Sequence, residues 1–289
     1  MANWKPFDLS RPASRRPVKV IAITGGKGGV GKTNVTANLA VALAERGQSV
    51  LVLDADLGLA NIDVVLGLQP RWNLSHVLSG ERALEEVIVD GPRGVRVVPA
   101  SSGIRQMANL GPLEHAGLIR AFSDLGQRVD VLLIDTAAGL HDSVTTFARA
   151  AHHVLVVVCD EPASLTDAYA LIKVLSREHR VSHFRVLANQ TRNPGEGRDL
   201  YEKLARVCDR FLDVTLEYAG AIAYDEFLRR AVQRQSAVVE VYPGSVAAQG
   251  FKKLAGKADT WAVPGGARGH LEFFVERLVM ANTGAGALQ

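Results

Sequence analysis

The chain has 289 residues, of which 47% are hydrophobic and 22% are charged, and its formal net charge is +3. This composition is typical of globular proteins and excludes the disordered, fibrous and collagen-like classes. No apolar run approaches the ~18 residues that a helix needs to cross a bilayer, and the amino terminus lacks the charged-then-apolar pattern of a signal peptide, so we expect a cytosolic protein.

Short β-branched runs alternate with longer segments of helical spacing from residue 18 to about residue 254. The predicted strands are 18–24, 49–54, 95–99, 129–135, 153–159, 184–189 and 216–222. The predicted helices are 32–46, 112–125, 142–151, 164–179, 197–212, 226–235 and 245–257. Most of the strands are continuous apolar runs, as strands buried on both faces are. The pattern therefore predicts an α/β fold with a doubly wound, mostly parallel sheet of about seven to eight strands and helices on both faces.

The two ends of the chain differ in composition from this central part. Residues 1–17 contain four basic residues, one acidic residue and three prolines, which is typical of a flexible arm. Residues 18–257 form the predicted domain, 258–269 a glycine-rich linker, and 270–289 an amphipathic helix and tail. The cysteines, Cys159 and Cys208, form no CxxC pair, so we expect buried thiols and no iron–sulfur cluster.

The first predicted strand runs directly into a glycine-rich loop and then into a helix, with the spacing G-x-x-x-x-G-K-T. Backbone N–H groups of such a loop surround a phosphate, and the following helix adds its positive end. The lysine then neutralises phosphate oxygens, and the threonine hydroxyl can bind Mg²⁺. The residues predicted to bind the nucleotide here are Gly26, Gly28, Gly29, Val30, Gly31, Lys32 and Thr33.

Acidic residues follow two of the predicted strands, at Asp54, Asp56 and Asp135. In a doubly wound sheet both strand ends lie on the same edge as the phosphate loop, where ligands bind. Aspartate after a strand can also be a turn former or a helix cap. Two acidic strand ends beside a phosphate loop favour a metal site, with Asp135 holding Mg²⁺ through a water.

Lys27 is unusual, because an ordinary phosphate loop does not specify a lysine at that position. The sequence Lys-Gly-Gly-Val-Gly-Lys-Thr resembles the deviant Walker A loop of the MinD/ParA ATPases, which are P-loop NTPases. The resemblance implies that Lys27 reaches the nucleotide of a second copy in an ATP-bound homodimer. A solvated loop lysine is the alternative.

The same resemblance assigns roles to four other residues. It implies that Asp56 orients or deprotonates the attacking water, as a positioned carboxylate does in phosphoryl transfer. Asp54 would support the water molecules around Mg²⁺, together with Thr33. The N–H of Gly139 would sense the γ-phosphate.

The predicted base is adenine, since the Asn-Lys-x-Asp sequence of guanine-specific proteins is missing after the strand that ends at Asn189. An amide can pair with an adenine edge through one donor and one acceptor, although asparagine at a strand end is often only a turn residue. Asn189 matches the adenine position of MinD-type proteins. Tyr224 and Asp225 resemble a second adenine-contact loop of the family, in which proline is common where this chain has Ala223.

Three longer stretches, 54–67, 135–144 and 159–173, resemble the flagellar-number regulators, the FlhG/FleN branch of the family. The resemblance implies a regulator that restrains the flagellar master transcriptional activator, and a second partner, a signal-recognition-particle-type GTPase. The Asp-Gln-Ala-x-x-Leu-Arg element that activates the GTPase in some members is missing from residues 1–17, so the activator is the preferred partner. A ParA/MinD-type ATPase that positions DNA or the division site is the alternative. We expect no direct sequence-specific binding to nucleic acid.

The segment from residue 270 to residue 282 carries apolar residues at helical spacing, which form one stripe. These residues are Leu271, Phe274, Val275, Leu278 and Val279. A helix of this length, about 20 Å, can lie on a bilayer but cannot cross it. It resembles the membrane-targeting helix that ends MinD, which implies reversible binding to the cytoplasmic face of the inner membrane. Docking on the protein's own core is the alternative.

Overall fold

The computed structural model describes residues 17–56, 61–99 and 129–263, together with Phe122 and Leu125. The strands are β1 (Lys19–Thr24), β2 (Val50–Ala55), β3 (Val89–Asp90), β4 (Arg96–Pro99), β5 (Val131–Thr136), β6 (His153–Val158), β7 (His183–Thr191) and β8 (Thr215–Ala223). The helices are α1 (Lys32–Glu45), α2 (Ile62–Leu66), α3 (Leu74–Leu78), α4 (Leu84–Val87), α5 (Asp142–Ala150), α6 (Pro162–His179), α7 (Pro194–Phe211), α8 (Glu226–Gln233), α9 (Val238–Val241) and α10 (Val246–Thr260), with a 3-10 turn at Pro92–Gly94.

The strands form one sheet in the order β3-β4-β2-β5-β1-β6-β7-β8. Every pairing is parallel except that of the short edge strand β3 with β4. All residues of β1, β2, β5 and β6 are buried, as strands covered on both faces must be. This confirms the predicted α/β fold and its mostly parallel sheet. Because β1 lies centrally and the chain turns to either side of it, the loop after β1 opens into the crevice where such folds bind ligands.

The seven predicted strands all occur, each with ends within two residues of the prediction. The sequence analysis missed β3, α2, α3, α4 and α9, because elements of two to five residues are too short to show a period. Helix α10 continues to Thr260, three residues beyond the end of the helix predicted at 245–257. The predicted helix 112–125 lies outside the described residues except for Phe122 and Leu125, which are both buried.

Helix α1 is buried along most of its length, and α10 packs against it on one face of the sheet. On the other face, α5 packs against β1 and β5 and α6 packs against β6, with Phe147 and Leu171 fully buried. Both cysteines are free and buried, so the predicted buried thiols are confirmed. Since α1 begins with the lysine and threonine of the phosphate loop, its burial fixes these two residues relative to the sheet.

Candidate functional site

The glycine-rich loop joins the end of β1 to the start of α1, and two of its glycines are required by close contacts. A Cβ on Gly26 would lie 2.2 Å from the carbonyl carbon of Asp167 in α6, and a Cβ on Gly31 would lie 2.5 Å from Nδ2 of Asn189. Gly29 and Gly31 also have positive φ angles, +81° and +89°, which side chains disfavour. A Cβ on Gly28, by contrast, would have no atom of the described residues within 4 Å. The loop is therefore packed at its ends and open in the middle.

Helix α1 begins at Lys32 with no side chain capping its first turn in the described structure. Its first N–H groups are consequently available to an anion. Lys32 is only 8% exposed; burial lowers its pKa, while Asp135 and Asp56 partly oppose this effect. The arrangement supplies one buried cation beside free backbone donors, which suits a phosphate group.

Two aspartates face each other across neighbouring strands, because Asp54 of β2 is the register partner of Asp135 of β5. Each is only 1% exposed. Burial, with the charge of the other aspartate as a smaller cause for Asp135, raises the pKa of Asp54 to about 6 and the pKa of Asp135 to about 7. Two buried carboxylates that repel each other are stabilised by a cation bound between them.

Hydroxyl and amide groups hold these two carboxylates in place. Asp135 accepts hydrogen bonds from the side chain of Thr33 and from Oγ1 of Thr36, the latter at 3.1 Å. Asp54 accepts from the backbone N–H of Asp56 at 3.2 Å and of Ile62 at 3.3 Å. The structure therefore brings together the four predicted magnesium ligands, Thr33, Asp54, Asp56 and Asp135. Thr33 is hydrogen-bonded to Asp135 and Asp56 to Asp54, and the two pairs meet because Asp54 and Asp135 lie on adjacent strands.

Lys27 forms an ion pair with Glu161 of the same chain. The hydrogen bond and charge of Glu161 raise the pKa of Lys27. Both side chains are partly exposed, and Glu161 lies just before α6. The lysine therefore sits at the surface with an acidic partner that sequence analysis did not single out.

The predicted γ-phosphate sensor, Gly139, follows β5 with a φ angle of +90°. Its N–H donates a hydrogen bond of 3.2 Å to the carbonyl of Gly25. The loop after β5 is thus tied directly to the start of the phosphate loop. To reach a phosphate, this N–H would have to leave the carbonyl of Gly25.

The end of β7 is fastened to the other side of the same loop. Nδ2 of Asn189 donates to the carbonyl of Val30 at 2.8 Å, while Oδ1 is buried and has no partner among the described residues. Gln190, which the sequence analysis missed, has a φ angle of +58° and donates to the carbonyl of Gly29 at 3.4 Å. The amide of Asn189 keeps one N–H and one oxygen for a base edge, so its adenine contact stays a prediction.

Asp225 uses both carboxylate oxygens to bind helix starts. Oδ1 accepts from the N–H of Phe227 at 2.8 Å, and Oδ2 accepts from the N–H of Ala247 at 2.9 Å. The neighbouring Tyr224 is 62% exposed. The structure accounts for Asp225 as a cap, and the adenine contacts of both residues stay predictions.

The predicted carboxy-terminal stripe of Leu271, Phe274, Val275, Leu278 and Val279 lies outside the described residues. So does most of the predicted amino-terminal arm. Within the part of the chain that the structure describes, no helix combines the length and the apolar character needed to cross a membrane.

Comparison with known proteins adds independent findings. The CobQ/CobB/MinD/ParA nucleotide binding domain family matches residues 21–238. "Antiactivator FleN" of Pseudomonas aeruginosa is 59% identical over 271 residues, which are 94% of this chain and 97% of that protein. The "Flagellum site-determining protein YlxH" of Helicobacter pylori is 35% identical over 239 residues, 82% of this chain and 81% of its own.

Solved structures with a similar fold include two cell-division proteins. MinD of Pyrococcus horikoshii, complexed with Mg-ADP, is 28% identical, with a TM-score of 0.67 over 84% of this chain and 96% of its own. MinD of Pyrococcus furiosus is 30% identical, with a TM-score of 0.67 over 84% of this chain and 99% of its own.

Proposed function

Because the chain belongs to the CobQ/CobB/MinD/ParA family and resembles its flagellar regulators along nearly its whole length, we propose that it is an ATPase switch that limits flagellar number. In this proposal the chain dimerises with ATP and hydrolyses ATP slowly to ADP and phosphate. The ATP-bound dimer restrains the flagellar master transcriptional activator. Hydrolysis then separates the dimer and releases the activator.

The observation that carries the nucleotide part of the proposal is the buried pair of carboxylates beside the phosphate loop. Asp54 and Asp135 are both 1% exposed and lie on adjacent strands as register partners, and burial is the main cause that raises the pKa of each carboxyl. A divalent cation bound between them would stabilise their charged forms. Together with the hydroxyl of Thr33, they offer the hard oxygen ligands that Mg²⁺ prefers. The residues present therefore fit MgATP.

The chain's own residues supply the remaining chemistry. Bound Mg²⁺ would neutralise charge on the phosphates. Lys32 binds phosphate oxygens, and the N–H groups of the loop and of the first turn of α1 surround them. Asp56 orients the attacking water and accepts its proton.

Lys27 provides the link to a second copy. In the single chain it is held by Glu161, an exposed pairing that contributes little to stability. The triphosphate of a second copy offers several anionic oxygens, so the lysine can exchange Glu161 for the partner's nucleotide at small cost. The bound nucleotide would then determine whether the chain is a monomer or a dimer.

The regulated partner is proposed from the relatives. The name "Antiactivator FleN" of a protein 59% identical over 97% of its length supports a transcriptional activator as the partner. The name of YlxH, a flagellum site-determining protein, supports a role in flagellar placement, and the signal-recognition-particle-type GTPase stays a prediction. A cytoplasmic location with reversible binding to the inner membrane, through the stripe of residues 271–279, is part of the proposal.

Counting flagella tests this function directly. In Pseudomonas aeruginosa cells that lack FleN, expression of this chain should restore the normal number of polar flagella, as counted by electron microscopy. The Lys27→Ala variant, expressed at equal level, should leave the cells with the excess number. Failure of the unaltered chain to change the count would contradict the proposed function. If expression of the chain instead disturbed chromosome or septum positioning and left the flagellar count unchanged, the alternative, an ATPase that positions DNA or the division site, would be favoured.

A further inference from the structure

One surface of the described structure lies on α8 and α9 and at the start of α10, close to the candidate nucleotide site. We name it the arginine–aromatic face, and it consists of the exposed side chains of Phe227, Arg230, Arg234 and Val246 together with Tyr242, which is half-buried against the core. Phe227 is 44% exposed and Val246 is 66% exposed, so the face presents apolar atoms to solvent. Apolar and arginine side chains that are exposed together are typical of protein interfaces.

Four side chains of this face, all except Val246, form a continuous row of contacts. The guanidinium of Arg230 lies 5.6 Å from the ring centre of Phe227, and the rings of Phe227 and Tyr242 are 5.0 Å apart. The guanidinium of Arg234 lies 5.7 Å from the ring of Tyr242. Because these contacts already restrict the side chains, less conformational entropy is lost when a partner binds.

The face is also electrostatically biased. Its helix, α8, exposes Arg229 in addition to Arg230, and Arg234 follows at the helix end, whereas Glu226 is the one acidic residue of α8. Helix α8 and Arg234 after it therefore carry three arginines and one glutamate, while Glu240 of α9 is paired with Arg93, and this excess of positive charge attracts carboxylates. Aromatic and arginine residues are also the types that contribute most binding energy at protein interfaces.

The face is physically connected to the candidate nucleotide site. Asp225 caps α8 and also binds the N–H of Ala247 at the start of α10. The next residue back, Tyr224, donates its backbone N–H to Thr191 at the end of β7, at 2.8 Å. Asn189, two residues earlier in β7, binds the phosphate loop. The face is therefore anchored to the same strand end as the loop.

We propose that the arginine–aromatic face docks an acidic segment of a partner protein, with carboxylates on the arginines and an apolar side chain on Phe227 and Val246. A protein partner fits better than nucleic acid, because the aromatic rings already contact each other and guanidinium groups, whereas base binding needs free ring faces. The exposed side chain of Val246 also has no role in phosphate binding. The proposal rests on the proposed function in one respect: the partner used in the test is the flagellar transcriptional activator.

The test compares two double variants with the same change in charge. Arg230→Glu/Arg234→Glu reverses the charge of the face. Arg206→Glu/Arg210→Glu is the matched control, because these exposed arginines of α7 have the same spacing and Arg210 also lies beside an exposed phenylalanine, Phe211, at 5.2 Å. Both variants of the full chain should bind ATP and unfold at the temperature of the unaltered protein.

Affinity for the purified activator is then measured in ATP by biolayer interferometry, at low and at physiological salt. Arg230→Glu/Arg234→Glu should bind at least about tenfold more weakly, with a smaller dependence on salt, and the control should bind like the unaltered chain.

Equal binding by both double variants and the unaltered chain would overturn the proposed face and leave the proposed function intact. No binding by the unaltered chain would contradict the proposed function and the face with it. Binding of a random DNA duplex that only Arg230→Glu/Arg234→Glu loses would also overturn the assignment.

Discussion

At the scale of single residues, the phosphate loop shows why two glycines of one motif have different physical roles. Gly26 lies against the backbone of α6 at Asp167, where a Cβ would come within 2.2 Å of a carbonyl carbon. Gly28 has open space around it in the described structure and no positive φ angle. The first glycine is required by the packing of the loop against α6, and the second lies in the open middle of the loop.

Gly26→Ala and Gly28→Ala therefore form a matched pair. Gly26→Ala forces the loop and α6 apart and should lower the free energy of unfolding by about 1–3 kcal/mol. Gly28→Ala should change it by less than about 0.5 kcal/mol. Urea denaturation of both variants without nucleotide measures the difference. Equal stability of the two variants would show that α6 does not pack against Gly26.

The residues of the site differ in how far sequence alone could predict them. The loop residues from Gly26 to Thr33 are contiguous, so their spacing is sufficient to identify them. Glu161 and Gln190 have no motif of their own, and they reach the loop only because β6 and β7 end at the same edge of the sheet as β1. Such contacts depend on the strand order, which periodicity does not determine.

At the scale of secondary structure elements, the amino-terminal edge of the sheet holds the end of α10. Nζ of the buried Lys19 donates to the carbonyls of Ala258 at 2.6 Å and Asp259 at 2.8 Å. Trp261 follows the helix directly. Its ring centre lies 4.5 Å from the guanidinium carbon of Arg185 and 5.5 Å from the ring centre of His153. These contacts extend the helix beyond the boundary that its own apolar spacing predicted, because helix ends depend on tertiary partners as well as on local sequence.

The contribution of this anchor can be measured with Lys19→Met. The substitution keeps the apolar stem but leaves two carbonyls at the helix end without their donor, so the free energy of unfolding should fall by about 1–3 kcal/mol. Lys253→Met, at an exposed position of α10, is the control and should have an effect within about 0.5 kcal/mol. If thermal and urea unfolding gave the same loss for both variants, the lysine would not be holding the helix.

At the scale of the whole molecule, contacts from several elements meet at one edge of the sheet. The loop after β1 is bound by the ends of β5 and β7 through Gly139 and Asn189, and the surface lysine of the loop is paired with Glu161. The same edge connects to α8 through Tyr224 and Asp225. A nucleotide that changes these contacts would alter both the surface facing a second copy and the surface facing a partner protein.

In the proposed switch, Lys27 is the residue that joins two copies through ATP. Sedimentation velocity with saturating MgATP tests this directly on three forms of the full chain. The unaltered chain should dimerise, Asp56→Ala should accumulate as a dimer because hydrolysis is lost, and Lys27→Ala should stay a monomer that still binds a fluorescent ATP analogue. A Lys27→Ala protein that dimerises as readily as the unaltered chain would contradict the account.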